Sequence, residues 1–298
     1  MNTLFLDKRG TVLCTTVHNL GNKVLPPVFG SRKVNRKTGL PECPLTPLED
    51  HVKIQPMWKE FLKGLGDLFY PHNCLLCHRF TPPLEQPMQL CFSCQNSILM
   101  NKPPFCIKCT RPLRVMEAGS LCTMCQQTPP VFDFAWGACL YTPHLRDLIH
   151  LFKYRHKTSL RFFFSQRIFD FIEQYRFDIK QFDWIMAIPL HATRFRERGY
   201  NQTQFLAEAL AHAFQIPLST QNLIRVRHTH PQSSLNPKER WTNIQGAFRI
   251  NRLETFKGAS VLILDDLLTT GATVNEAARV LKEAKTEIIG VLTLAITT

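Results

Sequence analysis

The chain has 298 residues, 44% of them apolar, enough for one sizeable core and a smaller module. Its 36 lysines and arginines against 23 aspartates and glutamates leave a net charge of +13, which points to polyanionic partners (phosphorylated small molecules, nucleic acid or a membrane surface) without choosing among them. No apolar run approaches the roughly 20 residues that cross a bilayer, and Asp7, Lys8, Arg9 and Gly10 sit where a secretion signal needs its apolar stretch, so no membrane span and a cytoplasmic location are expected.

Residues 1–56 carry Leu25-Pro26-Pro27, a basic run from Ser31 to Lys37, and Pro41, Pro44 and Pro47, with no helical or strand period lasting ten residues. The segment is expected to be mostly disordered. An amphipathic pattern, Met57-Trp58-Lys59-Glu60-Phe61-Leu62, begins where it ends. Met57 is an alternative start of translation, set against a genuine basic tail.

Eight of the eleven cysteines fall between residues 70 and 127, as the pairs Cys74/Cys77, Cys91/Cys94, Cys106/Cys109 and Cys122/Cys125. Each pair is C-x2-C, a turn that aims two thiolates at one point, and two such turns complete a tetrahedral zinc site. A reducing compartment favours metal over disulfides for such spacing. The second half repeats the first at an offset of about 31 residues, which favours two successive zinc ribbons in the module 57–130. Nearly equal gaps leave an interleaved pairing open. Closed four-cysteine sites have no position for water, so both zincs are expected to be structural. Cys14, Cys43 and Cys139 lack the spacing, and Cys139 is expected to be a small core residue.

From residue 131 strand and helix alternate. A strand is expected over 134–141. Thr142 then caps a helix whose first residue is Pro143 and whose apolar face is Leu145, Leu148, Ile149 and Phe152. A strand over 183–188 ends at Pro189, and a helix runs from Asn201 with Phe205, Leu206, Ala209 and Leu210 on one side. A strand over 261–264, a helix over 273–284 and a strand over 288–296 close the chain. The alternation predicts an α/β region over 131–298 with a mainly parallel sheet flanked by helices.

The stretch from Val261 to Thr273 reads VLILDDLLTTGAT. Four apolar residues suit a strand covered on both faces. Asp265 and Asp266 then fall at its carboxyl end, the edge that lines the ligand crevice in open α/β sheets. Thr269, Thr270, Gly271, Ala272 and Thr273 offer backbone N–H groups, hydroxyls and a helix N-terminus to an anion. Two carboxylates beside an anion loop suit vicinal hydroxyls next to a phosphate, as on a 5′-phosphorylated ribose. The Walker pattern is absent.

This stretch resembles the 5-phosphoribosyl 1-pyrophosphate (PRPP) signature of type I phosphoribosyltransferases. Together with the cysteine pairs, Phe132-Asp133, Tyr141, the helix ending in Lys153-Tyr154, IPLHATRFRERGYNQ at 188–202 and HPQSSLNPKERWTNIQGAF at 230–248, it is similar to the ComF family of competence-associated phosphoribosyltransferase-like proteins over residues 57–298. The family's Pro-Val-Pro-Leu is Ala187-Ile188-Pro189-Leu190 here. The resemblance implies a type I phosphoribosyltransferase fold behind a double zinc ribbon. It implies Asp265 and Asp266 on the ribose hydroxyls, 269–273 on the 5′-phosphate, and Arg194, Arg196 and Arg198 on pyrophosphate. It further implies a mobile loop over 230–243, with Lys238 and Arg240, closing on PRPP. Lys153 either reaches the phosphates or snorkels from its helix. Asp265, Asp266, Lys153 and Arg198 are the candidate catalytic residues, and magnesium accompanies the substrate.

Three functions compete: a phosphoribosyltransferase with an unknown acceptor, linked to DNA uptake; a non-catalytic PRPP sensor associated with single-stranded DNA; and a structural adaptor. A helicase or another DNA-uptake protein is the expected protein partner.

Overall fold

The computed structural model describes residues 2–6, 12–16, 73–81, 89–117, 119–229 and 235–298. Within the unit Met1–Glu60, β1 (Asn2–Leu6) pairs antiparallel with β2 (Val12–Thr16). These are regular elements in a segment expected to be mostly disordered. Five-residue strands are too short to register as a sustained period. The rest of the expected extension and the helix expected at Met57 lie outside the described residues.

The unit Phe61–Thr298 begins, in its described part, with two copies of one small motif. In the first, Asn73 bridges Phe80, the Cys74 N–H donates to the Arg79 carbonyl at 2.9 Å, and Cys91 precedes helix α1 (Phe92–Asn96). In the second, Phe105 bridges Pro112, the Cys106 N–H donates to the Arg111 carbonyl at 2.8 Å, and Cys122 precedes α2 (Thr123–Gln127). His78 and Thr110 hold equivalent places with φ of 59° and 51°, so the repeat extends to backbone conformation.

The remaining elements are β3 (Phe134–Leu140), α3 (Pro143–Tyr154), α4 (Leu160–Gln174), β4 (Trp184–Ala187), α5 (Ala192–Arg198), α6 (Gln202–Phe214), β5 (Leu218–Ser219), β6 (Leu223–Arg225), α7 (Pro237–Ile244), β7 (Phe248–Ile250), β8 (Ser260–Leu268), α8 (Ala272–Glu283) and β9 (Ile288–Ile296). The main sheet has the order β3-β9-β8-β4-β5 and every pairing in it is parallel. β6 and β7 form a separate antiparallel pair.

Alternation along β8 feeds two cores. Leu262 and Leu264 pack with the apolar faces of α3, α4 and α6, whereas Val261 and Ile263 pack with Val274, Ala277 and Leu281 of α8. The ribbons share these cores. Cys74, Leu90 and Cys94 belong to the first, and the cysteines of the second ribbon belong to the other. The boundary expected at residue 130 is therefore crossed by continuous packing.

β3 would be an open sheet edge, but the segment between the ribbons covers it. Met100 bridges Cys139, the Leu140 N–H donates to the Leu99 carbonyl and the Asn101 N–H to the Ala138 carbonyl, each at 2.9 Å. The buried Asn101 amide donates to the carbonyls of Thr110 at 2.9 Å and Gly137 at 3.0 Å, and the Gly137 N–H donates to the Thr110 hydroxyl at 2.9 Å. Unpaired backbone groups at an edge invite association with other chains, and here they are satisfied within the molecule.

Gly137 also sits against β9. A Cβ there would lie 2.5 Å from the Cβ of Ile296, a rigid atom of a β-branched residue. Gly137→Ala should destabilise the protein by about 1–3 kcal/mol, read as a lower denaturant midpoint at unchanged slope.

Candidate functional site

The strand expected over 261–264 is longer than four apolar residues require. β8 runs to Leu268, so Asp265 and Asp266 lie inside it and are buried. Both line a crevice of about 620 Å³ at the carboxyl end of the sheet, within the range of roughly 300–1,000 Å³ typical of small-molecule sites. Lys153, in the last turn of α3, forms an ion pair with Asp266 Oδ2. Its position follows from local chemistry. The Thr142 hydroxyl accepts from the Leu145 N–H at 3.4 Å and Pro143 starts the helix, while Leu145, Leu148, Ile149 and Phe152 bury one face and turn Lys153 toward the crevice.

The two carboxyls differ sharply. Burial raises Asp265 well above the usual carboxylate range, and the neighbouring Asp266 charge raises it further. Burial opposes charge on Asp266 too, but Lys153 holds it below the ordinary value. Lys153 itself is raised because Asp266 outweighs its burial. Asp265 thus holds its proton to higher pH than Asp266 does. The Asp266 N–H donates to Asp265 Oδ1 at 2.8 Å, which fixes the inner carboxyl.

The residues expected at 269–273 divide. Thr269 and Thr273 line the crevice, Thr270 and Gly271 border a narrow gap against the second ribbon, and Ala272 is buried in the core. Gly271, with φ of 80°, is the N-cap of α8. The left-handed turn lets the chain leave β8 and begin the helix at once, which brings the positive helix end to the crevice.

Arg194, Arg196 and Arg198, expected on pyrophosphate, lie on helix α5, opened by His191, whose Nδ1 accepts from the Thr193 N–H at 3.3 Å. Helical period decides which of them reach the crevice. Arg194 and Arg198, four apart, line it, whereas Arg196 projects away and is exposed. The helix ends at Gly199, with φ of 75°. The Tyr200 hydroxyl then donates to the Phe152 carbonyl, and the Asn201 amide donates to the Ile188 carbonyl at 3.0 Å while its oxygen caps α6. Arg198 lies 4.8 Å over the Tyr154 ring and donates to Gln202 Oε1 at 2.9 Å.

The segment expected as a mobile loop over 230–243 is helical from Pro237 onward. Asn236 and Glu239 form a reciprocal capping box, a signal present in the sequence. Arg240 lines the crevice and Lys238, exposed on the same helix, does not. Residues 230–234 lie outside the described residues.

Several further residues line the crevice. Arg146, His150 and Tyr154 follow i, i+4, i+8 along α3, a register that Lys153 could have revealed. Arg225 comes from the three-residue strand β6, donates to the Thr229 hydroxyl at 2.5 Å and has its Nε buried without a hydrogen-bond partner. Burial lowers its pKa although Asp265 opposes this. His191 and His228 face each other with ring centroids 5.1 Å apart, and solvent loss and the neighbouring cations lower the pKa of His191.

The cysteines gather as two successive sites, which settles the pairing. Cys74, Cys77, Cys91 and Cys94 form one, and Cys106, Cys109, Cys122 and Cys125 the other, with all four sulfurs of each within 4.8 Å of one another. Sulfur separations of 3.7 Å between Cys77 and Cys91 and 3.6 Å between Cys109 and Cys122 match the edge of about 3.8 Å in a tetrahedron with metal–sulfur bonds of about 2.3 Å. The thiols need a cation. Burial together with Cys106 and Cys122 pushes Cys109 up to about 12, while at Cys74 backbone N–H groups of Cys77 and Cys91 overcome burial and bring it to about 6. Cys139 stands apart as a buried thiol donating to Met100 Sδ at 3.7 Å.

The double zinc ribbon domain family matches residues 65–126, and the phosphoribosyl transferase domain family matches residues 204–296. A DNA utilization protein YhgH of Salmonella typhi is 30% identical over 206 residues, covering 64% of this chain and 90% of its own length. Competence protein F of Haemophilus influenzae is 29% identical over 209 residues, covering 69% and 90%. Competence protein ComFC of Streptococcus pneumoniae is 28% identical over 144 residues, covering 48% and 60%.

Protein purified without added metal should carry one zinc in each of the two cysteine sites, measured by elemental analysis. Disulfides in place of zinc would remove both.

The carboxyl pair gives a second test. The folded protein holds the Asp265 proton to higher pH than the unfolded chain does, so its contribution to stability is full below the unfolded value of about 3.9 and lost as pH rises through the folded value. Asp265→Asn fixes the neutral form and should match or exceed the wild-type melting temperature at pH 8. Asp266, with a lowered pKa, contributes above the unfolded value and loses that contribution as pH falls through the folded one. Asp266→Asn leaves the half-buried Lys153 ammonium without its partner and should cost about 1–3 kcal/mol. Equal losses in the two variants would reject this assignment of the proton.

Proposed function

This chain belongs to the ComF family of competence-associated phosphoribosyltransferase-like proteins, and on that premise we propose that it binds PRPP in the crevice above Asp265 and Asp266 and transfers the phosphoribosyl group to an acceptor. One observation carries the reading. A buried acidic pair, braced by Lys153, lies beside the N-terminus of α8 in a crevice whose other charged lining residues are all cations.

In this reading Asp265 and Asp266 hold the ribose 2′- and 3′-hydroxyls, and residues 269–273 hold the 5′-phosphate. Arg194, Arg198 and Arg240 face the pyrophosphate. The bond from C1 to the pyrophosphate oxygen breaks with its electron pair leaving on pyrophosphate. The acceptor attacks C1 from the opposite face, so configuration inverts. Arginines already fixed around the leaving group stabilise its growing charge without reorganisation. Arg198 is the best placed of them, held by Tyr154 and Gln202. Lys153 keeps Asp266 ionised and so ready to accept from a hydroxyl. PRPP enters as its magnesium complex, with most of the ion's oxygen ligands coming from the substrate. The acceptor shares the wall of the crevice with Tyr141, His150 and Tyr154.

A second reading keeps the pocket as a sensor and gives the basic chain a direct role on single-stranded DNA in the uptake machinery. The net charge of +13 favours it. Among the described residues no helix is long and apolar enough to cross a membrane.

Calorimetry with magnesium and PRPP should show saturable binding that Asp265→Asn and Asp266→Asn each abolish, and pyrophosphate release with candidate acceptors then measures turnover. Absence of wild-type binding would remove the proposal. Binding to single-stranded DNA should fall steeply between about 50 and 200 mM salt if phosphate contacts carry it. If saturating PRPP leaves that binding intact, the DNA surface lies away from the crevice. If no DNA binding appears at about 50 mM salt, the second reading fails in its direct form and a protein partner such as a helicase takes its place.

A further inference from the structure

Arg111 of the second ribbon reaches two residues that line the crevice, Thr269 and Thr297. Arg111 lies two residues after Cys109. Its guanidinium crosses to the sheet, where Nη1 donates to the Thr297 carbonyl at 2.6 Å and the Thr297 hydroxyl at 2.9 Å, and Nη2 donates to the Thr269 carbonyl at 2.5 Å. Thr269 opens the loop between β8 and α8, Thr297 follows β9, and both line the crevice. The Thr297 N–H donates in turn to the Leu268 carbonyl at 3.1 Å. The ends of two neighbouring strands are thus gathered by one cation.

The backbone of the same residue belongs to the metal site. The Cys106 N–H donates to the Arg111 carbonyl at 2.8 Å, and the Arg111 N–H is directed at the Cys109 thiol. Cys109 and Cys125 on one side and Leu268, Thr270 and Gly271 on the other, with Trp241, line a half-open gap of about 30 Å³, room for about one water. Two observations converge: a bidentate clamp on backbone carbonyls, and close packing of the loop against the metal ligands.

We infer that the second zinc ribbon sets the position of the phosphate loop, with Arg111 as the positioning residue that couples the zinc site to the anion site. The coupling rests on the reading of the crevice as a PRPP site. A loop whose N–H groups must converge on a phosphate works only if its carbonyls are held elsewhere, and Arg111 holds the first of them. Coupling between two sites is reciprocal in free energy. Zinc in the second ribbon should favour the anion-binding form of the loop, and an anion on the loop should slow the loss of that zinc.

The experiment follows zinc release to a colorimetric chelator from full-length protein, with and without saturating magnesium–PRPP, alongside calorimetry of PRPP binding. In the wild type PRPP should slow the release of one of the two zincs several-fold and leave the other unchanged. Arg111→Met should retain both zincs, bind PRPP about tenfold more weakly, as expected for lost hydrogen bonds from a charged donor, and lose the protection. Arg111→Lys keeps the charge without the fork and should fall between; it supplies the measurement if the methionine variant fails to fold. A purely structural role would lower the melting temperature in both variants without removing the protection. The inference is overturned if the wild type binds PRPP while both zincs leave at unaltered rates, or if Arg111→Met binds PRPP as the wild type does. If calorimetry finds no PRPP binding to the wild type, the crevice reading itself falls, and the inference falls with it.

Discussion

Two adjacent carboxyls inside a strand buried on both faces cannot both be charged without compensation, because removing a carboxylate from water costs several kcal/mol. The site resolves this by splitting the pair. Lys153 pairs with Asp266, and Asp265 holds its proton to higher pH than its neighbour. That arrangement depends on where α3 ends. Its start is set by Thr142 and Pro143, its rotation by four buried apolar side chains and its last turn by the Tyr200 hydroxyl on the Phe152 carbonyl. A shift in any of these would move Lys153 away from its partner. Tyr200 in turn belongs to the turn that ends α5 and begins α6, so the cations on the far wall and the lysine on the near one share a support.

The zinc module is part of this construction. Its two copies diverge in what they touch. The first packs under α3 and α4 with Cys77 exposed, whereas all four cysteines of the second are buried against the opposite face of the sheet. The linker between them occupies the edge of β3 in place of a sixth strand. Four bound thiolates per site supply local rigidity that a short segment with few apolar residues cannot reach by burial alone.

How much of this could be read from the sequence depends on the length of each pattern. β9 matches its expected span of 288–296, and α8 begins one residue early because Gly271 rather than Ala272 is its cap. The C-x2-C turns announced their ligands, but nearly equal gaps left their pairing to be fixed in three dimensions. Helix α4 escaped notice because Phe163, Phe164, Ile168 and Phe171 bury so much of its surface that no polar face stands out. Strands β5, β6 and β7 have two or three residues, too few for any alternation. Arg196 and Lys238 were expected at the crevice from the family resemblance of their segments. Once those segments are helical, their side chains face elsewhere. Arg111 carries no sequence signal at all, since its partners are 158 and 186 residues away.

The placement of β3 beside β9 has a consequence for synthesis on the ribosome. Phe134 pairs with Gly290, so β3 emerges long before the only strand of the main sheet that hydrogen-bonds to it. At a typical 5–20 residues per second the wait is roughly ten to thirty seconds. During that time one edge of β3 already has its partner, because the segment carrying Met100 and Asn101 precedes it. The chain thus carries the cover for one edge of β3 ahead of the strand itself, and the edge facing β9 alone waits for the C-terminal segment.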